Sequence, residues 1–335
     1  MNQRSISAIW VKTLCDMFSH EGLCISSLLD IVGIPEEQLD QPDRRFSIET
    51  LTLLWDTAVE ISENKHLGLN IELCDRLVSF YQVGYGMSAS QTLYDAIVLM
   101  KNYFAVISND TLIELKNTRD GLWMYTDIFR HHHAYSSRLE FGTLMTLRLF
   151  SWLTRQSIMP LAIEWECPEP DNCAIYQDVF SIRPRFGQPA NRIKIRQSDL
   201  DIPIPTANTS MYDMQKKYLD EQIARLGYTS VYFHVYNEIF QHLKNGEPRR
   251  RDIAAKLHIS DRTLQRKLKL EQNTFSGVMD EVREKLAKQY LADPTITLQE
   301  ASQLLGFADI RSFYRFSQRI LGMPPGLYRD KYLNH

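Results

Sequence analysis

No stretch of about 18 consecutive apolar residues occurs in the 335-residue chain, so no membrane-crossing helix is expected. The opening MNQRSISAIWVKTLCDMF breaks its apolar residues with polar ones and has no small-residue cleavage site, so a signal peptide is not expected either. Cysteine is scarce: five residues, at 15, 24, 74, 167 and 173, form an odd, scattered set that excludes a disulfide framework and suits reduced thiols in the cytoplasm. Chemistry-bearing motifs are also missing. Gly84-Tyr85-Gly86 lacks the further glycine and the strand–helix setting of a phosphate loop. Cys167 and Cys173 lack the short spacing and the second ligand pair of a zinc ribbon. His131-His132-His133 are consecutive, so their side chains diverge on helix or strand alike, and they read as surface rather than as a metal site. Glu164 and Glu166 share one face of a strand with no nucleophile or cofactor motif nearby, and they read as surface residues rather than an acid/base pair. Nothing here argues for an enzyme, and no cofactor or metal is expected.

What is present is globular: 44% apolar and 24% charged residues, with length for two domains. The net charge of −3 hides an asymmetry. Residues 249–335 carry 16 Lys and Arg against 10 Asp and Glu, whereas the rest carries 22 against 31. A basic segment on an acidic body fits a polyanion partner for that segment, or a solvated charged surface; charge alone leaves both open.

Along residues 1–205 the apolar spacing predicts helices over Ser5–His20, from Ser26 to Val32, from Ser47 onward, over Ser90–Ile107 and over Tyr135–Arg155. Alternation over Thr111–Leu115 and Leu122–Phe129, around an Asp120-Gly121 pair, predicts a hairpin. Leu161–Trp165 and Arg192–Arg196 read as strands. Aromatics are plentiful (Tyr81, Tyr85, Tyr94, Phe104, Trp123, Tyr125, Phe141, Phe150, Trp152), and they either fill a core or line an apolar ligand pocket. Pro203 and Pro205 break the order. A charged helix over Ser210–Leu226 reads as a linker or dimer element, and a helix over Val231–Leu243 as part of the following domain.

The C-terminal stretch Leu298–Tyr328 is the most informative. Two short helical patterns flank Gly306-Phe307-Ala308, with Asp309 placed to cap the second and Gly322 and Pro324-Pro325 to end it. This is a helix-turn-helix pattern. Ile310, Phe313, Phe316, Ile320 and Leu321 face inward; Arg311, Ser312, Tyr314, Arg315, Gln318 and Arg319 lie opposite, as a helix entering a major groove requires. The pattern recurs. IAAKLHISDRTLQRKLK (253–269) matches ASQLLGFADIRSFYRFSQ (301–318), with Leu264 and Arg266 each 49 residues before Phe313 and Arg315, and Ile259 paired with Phe307 after a one-residue shift. In the first copy Arg262, Thr263, Gln265, Arg266 and Lys269 point outward. A continuous helix over Val278–Ala292 joins the copies, and two recognition helices so joined are expected about one helical turn of DNA, roughly 34 Å, apart.

The expected architecture is therefore an α+β N-terminal domain (1–205), a linker helix (206–228) and an all-α C-terminal domain (229–335). The latter holds two helix-turn-helix units, about 250–270 and 298–321, joined by a linker helix. Residues 298–329 resemble the C-terminal signature of AraC/XylS-family transcription regulators, carried by Gly306-Phe307, Ser312-Phe313, Arg315-Phe316, Gly322, Pro324, Tyr328 and Arg329. SDRTLQRKL and FSGVMDEVREKLAKQYL match the first half of that domain. PDRRFSIETL, HLGLNI and SQTLYDAI resemble the arabinose-binding-domain-like sensor of one branch, which includes ornithine-utilisation-type regulators. Ser302 stands where the family usually has Ala, and Gln272 where it usually has Gly. The resemblance implies a sequence-specific, cytoplasmic bacterial DNA-binding regulator, an activator, with double-stranded DNA carrying a bipartite operator, RNA polymerase and a small organic effector as partners, and a homodimer as an option. The alternatives are a ligand-independent regulator whose N-terminal domain serves dimerisation or polymerase contact, and an enzyme fused to a DNA-binding domain. Base readers are expected at Arg262, Gln265 and Arg266 and at Arg311, Ser312, Tyr314 and Arg315. Phosphate contacts are expected from Arg249–Arg251, Lys267 and Arg319.

Overall fold

The computed structural model describes residues 5–41, 43–69, 80–128, 135–226, 231–271 and 273–333. Cys74, Phe129, His131-His132-His133, Gln272 and the end of the expected linker, 227–228, lie outside them. The described chain forms two compact units, the first ending at Leu226 and the second made of the residues that follow.

The first unit opens on a strand, β1 (Ser5–Ser7), that runs into α1 (Ala8–His20). Periodicity alone extended this helix back to Ser5. Instead Ser5, Ile6 and Ser7 pair antiparallel with Ser47, Phe46 and Arg45 of β2 (Arg45–Ser47). The Arg45 guanidinium fixes the pair by donating to Ser5 Oγ (2.9 Å) and to the Val106 carbonyl (2.6 Å). A partner some 40 residues away cannot be read from local spacing. After α2 (Ile25–Val32), Ser47 caps α3 (Ile48–Ser62) by accepting from the Thr50 N–H at 3.1 Å. Gly84-Tyr85-Gly86 lies within helix α4 (Tyr81–Ser88), where a Cβ on Gly86 would sit 3.1 Å from Leu99 of α5 (Leu93–Tyr103). Gly86 serves helix packing.

Strands β3 (Thr111–Thr118), β4 (Gly121–Ile128), β5 (Ala162–Glu164) and β6 (Arg192–Arg196) form an antiparallel sheet in the order β3-β4-β6-β5. The expected hairpin is present, with Thr118 opposite Gly121. Helix α6 (Tyr135–Thr154), together with α1 and α3, supplies much of the core, including Leu14, Phe18, Trp55 and Phe150. Glu164 is not a surface residue: it is 2% exposed and ion-paired with Arg185 and Arg192. A carboxylate that faces into the fold from a buried strand requires such cations.

Short helices α7 (Ala174–Phe180) and α8 (Gln197–Leu200) precede α9 (Thr209–Arg225). This last helix, expected as a linker, belongs to the first compact unit. Leu219 is fully buried in that core, Tyr212 and Ile223 pack against it, and the Tyr103 hydroxyl donates to Asp220 at 2.6 Å. One apolar stripe on a mostly charged helix was enough to dock it.

The second unit is all helical: α10 (Val231–His242), α11 (Arg250–Lys256), α12 (Asp261–Leu270), α13 (Phe275–Leu291), α14 (Leu298–Leu304), α15 (Ile310–Ile320) and α16 (Pro325–Leu333). Helix α10 packs on α12 and α13, with Val235, Tyr236 and Ile239 buried. Its first N–H groups, at Val231 and Tyr232, donate to the Glu271 carboxylate at 2.9 Å each. Pro325 opens α16 rather than only ending the preceding helix, since proline suits a first helical position. Among the described residues no helix is long and apolar enough to cross a membrane.

Candidate nucleic-acid interface

The two helix-turn-helix units are built alike, bond for bond. In the first, α11 ends as His258 N–H donates to the Ala255 carbonyl and Ile259 N–H to Ala254, both at 3.0 Å. In the second, α14 ends as Gly306 N–H donates to Gln303 (2.9 Å) and Phe307 N–H to Ser302 (3.1 Å). His258 and Gly306 both adopt positive φ, 54° and 69°. The second helix of each pair is then capped: Ser260 Oγ accepts from Thr263 N–H (3.1 Å), and Asp309 Oδ1 from Ser312 N–H (2.8 Å). Ser302 is buried and fills its place in α14.

Behind this frame Leu264 and Leu268 of α12, and Phe313 and Phe316 of α15, are buried. Their opposite faces are solvent-exposed stripes. Arg262, Gln265, Arg266 and Lys269 form one; Arg311, Tyr314, Arg315 and Gln318 form the other. Each follows the i, i+3, i+4, i+7 spacing of a single helix face. Gln318, expected on the outward face though not as a base reader, holds in α15 the place that Lys269 holds in α12.

The remaining expected residues are differently placed. The hydroxyls of Thr263 and Ser312 turn back into the caps, 2.8 Å from Ser260 Oγ and 2.9 Å from Asp309 Oδ2. Arg319 is held by a two-bond pair with Asp280 of α13 (2.9 and 3.1 Å), and Arg250 by one with Asp261 (2.6 and 2.8 Å). The hydrogen bond from Arg250 holds the Asp261 carboxyl below the usual carboxylate range, and that from the Ser312 backbone does the same for Asp309. Arg315 Nη2 donates to Ser312 Oγ at 3.2 Å.

Sequence reasoning missed Arg283. Its side chain, from α13, is 9% exposed and lies over the Phe307 ring at 4.2 Å. It donates to the Leu305 carbonyl (3.0 Å), the Gly306 carbonyl (3.3 Å) and Glu247 (2.8 Å). The joining helix thereby holds the turn of the second unit. A lone arginine at the buried i, i+4 spacing of Met279 and Ala287 was the available signal.

The first unit has a cavity of about 90 Å³. Of the aromatics singled out in the sequence, Phe104 and Phe141 line it, joined by Trp10, Trp55, Phe80 and Trp165.

Two family models match the chain. Residues 22–204 match the family described as the arabinose-binding domain of AraC transcription regulators, N-terminal, and residues 253–331 match a helix-turn-helix domain family. The chain is 24% identical to the ornithine utilization regulator of Pseudomonas aeruginosa, over 97% of this chain and 96% of that one. It is 28% identical to the regulator VirS of Mycobacterium tuberculosis, over 47% of this chain and 46% of that one. The crystal structure of the transcriptional regulator CdpR from P. aeruginosa is similar over 91% of this chain and 96% of that one, at 20% identity and a TM-score of 0.44.

Proposed function

The chain belongs to the AraC family of DNA-binding transcription regulators, and from that premise we propose that it activates transcription from a bipartite operator in response to a small organic effector held by its N-terminal unit. The observation that carries this reading is the pair of exposed stripes on α12 and α15, repeated at a 49-residue offset on helices capped at the same position. Arg262, Gln265 and Arg266 read base edges in one half-site; Arg311, Tyr314 and Arg315 read the other. Each bidentate Arg–guanine or Gln–adenine contact contributes about 1–3 kcal/mol of discrimination. Thr263 and Ser312, whose hydroxyls serve the caps, set the helix starts against phosphate, and Lys269 adds a phosphate contact. Arg319 approaches the backbone with its orientation fixed by Asp280.

Activation requires contact with RNA polymerase in the cytoplasm, and a homodimer is compatible with the reading. The effector acts by binding the DNA-competent and incompetent states unequally. Neither arabinose nor ornithine is carried over from the names of the family and the relative. Six aromatic side chains line the cavity, and among the described residues its two charged lining residues, Arg138 and Arg192, are cations. Ornithine would bring a further ammonium beside these cations.

The test is selection of bound sites by the full chain from a random-sequence DNA pool at about 150 mM salt. Two conserved blocks about one helical turn apart are expected. Sequence-blind, salt-sensitive binding would overturn the reading.

A further inference from the structure

The cavity in the first unit is walled by β3, β4 and β6 on one side and by α1, α3 and α6 on the other. At about 90 Å³ it exceeds the roughly 10–15 Å³ that one water requires, and it is of the order of the roughly 150 Å³ at which an apolar cavity takes benzene. Its aromatic wall is interlocked. Trp10 meets Phe80, Phe104 and Phe141 edge-on, at centroid distances of 5.4, 6.5 and 5.7 Å, and Trp55 meets Phe141 at 5.9 Å. Trp165 is held in turn by Tyr176 and Phe180, at 5.6 and 5.9 Å. Rings fixed in this way keep the space open and offer faces and edges to a flat body.

Among the described residues two charged side chains line the cavity, Arg138 and Arg192. Each is answered within the protein by a buried carboxylate. Arg138 faces the fully buried Asp110 at 3.7 Å, and both of these residues make further interactions. Arg192 pairs with Glu164, which is 2% exposed, donates to the Tyr125 hydroxyl at 2.8 Å and stacks on the Trp123 ring at 4.2 Å. An anion entering this space would compete with Asp110 and Glu164 for the guanidiniums, and a cation would stand beside two arginines. Either would give up its hydration without gaining a counter-charge. The other polar groups of the wall are uncharged: the Asn191 amide and the hydroxyls of Ser108, Thr111, Thr126, Thr143 and Thr146.

We infer that this cavity binds a small uncharged molecule built on a single flat ring, seated among Trp10, Trp55 and Phe141. The inference gives the proposed effector a chemical class; it rests on the effector reading for its regulatory consequence and on the cavity alone for binding.

Benzamide, benzoate and benzamidine are flat and near-isosteric, and at neutral pH they are neutral, anionic and cationic. Titrated calorimetrically into the full chain, benzamide should bind at least about tenfold more tightly than either ion. Gly142 provides variants that spare the charged groups. It lies in the cavity wall on α6, and a Cβ there meets no atom within 4 Å. Gly142→Leu should fill the space and abolish benzamide binding while thermal stability is kept. Gly142→Ala, which adds only that Cβ, holds the test should the leucine disturb the fold: it should weaken benzamide several-fold with Tm not lowered. Absence of benzamide binding, equal or tighter binding of either ion, or benzamide binding undisturbed by both Gly142 variants would overturn the inference. Operator affinity separates the two levels of the reading. If benzamide binds without changing operator affinity, the cavity assignment stands and its regulatory role is lost. If benzamide changes operator affinity and that response survives both Gly142 variants, the effector reading stands and the cavity assignment fails.

Discussion

The turn of the first helix-turn-helix unit passes through His258 and that of the second through Gly306, both in the left-handed region, yet their surroundings differ. A Cβ on Gly306 would approach the Glu247 amide nitrogen to 3.0 Å and the Gly246 carbonyl carbon to 3.1 Å, and the Arg283 guanidinium bonds the turn's carbonyls. His258 is exposed, and the nearby clasp of its unit is the surface pair Arg250–Asp261. The same backbone is therefore held from behind by a buried cation in one copy and at its surface in the other. Positive φ by itself does not demand glycine. Glycine becomes necessary where positive φ coincides with a crowded site, as at Gly306.

Breaking the buried side of this comparison should have the largest effect. Arg283→Met leaves the Leu305 carbonyl without its donor in a buried setting, and should destabilise the second unit by about 2–4 kcal/mol in chemical denaturation. A loss well under about 1 kcal/mol would mean that the turn holds itself. Gly306→Ala should lose about 2 kcal/mol, combining a left-handed alanine with the close approach to Glu247. His258→Gly sharpens the contrast from the other side: relief of left-handed strain should raise stability by up to about 1 kcal/mol, visible as a higher Tm. The smallest effect concerns pH. Because Arg250 lowers the folded pKa of Asp261, the pair's contribution is present above the unfolded value of about 3.9 and is lost as pH falls through the lower folded value. Arg250→Gln should lower Tm slightly at neutral pH, leave it unchanged below the folded value, and so flatten that part of the acid limb.

Much of the interface was legible in the sequence, because helix periodicity and the 49-residue repeat are local signals. Asp309 as a cap and the outward Arg262, Gln265, Arg266, Arg311, Tyr314 and Arg315 could be assigned residue by residue. What escaped depends on distant partners. Ser5–Ser7 is a strand only because Arg45–Ser47 lies beside it. Glu164 is buried only because Arg185 and Arg192 reach it. Helix α9 joins the N-terminal core through Leu219, although its composition resembles a solvated linker. Arg283 looked like one more basic residue on a joining helix. The cavity was foreshadowed by Phe104 and Phe141, but no spacing rule brings Trp10, Trp55 and Arg138 to the same wall.

The central claim is that the two exposed stripes read separate halves of one operator, and the most direct test is paired site selection with Arg262→Ala and Arg311→Ala in the full chain. Each variant should relax one or two adjacent base positions, the first in one half-site only and the second in the other only, with about 1–3 kcal/mol lost at those positions. Uniform weakening on all sequences, or relaxation of the same positions by both variants, would contradict the two-reader account.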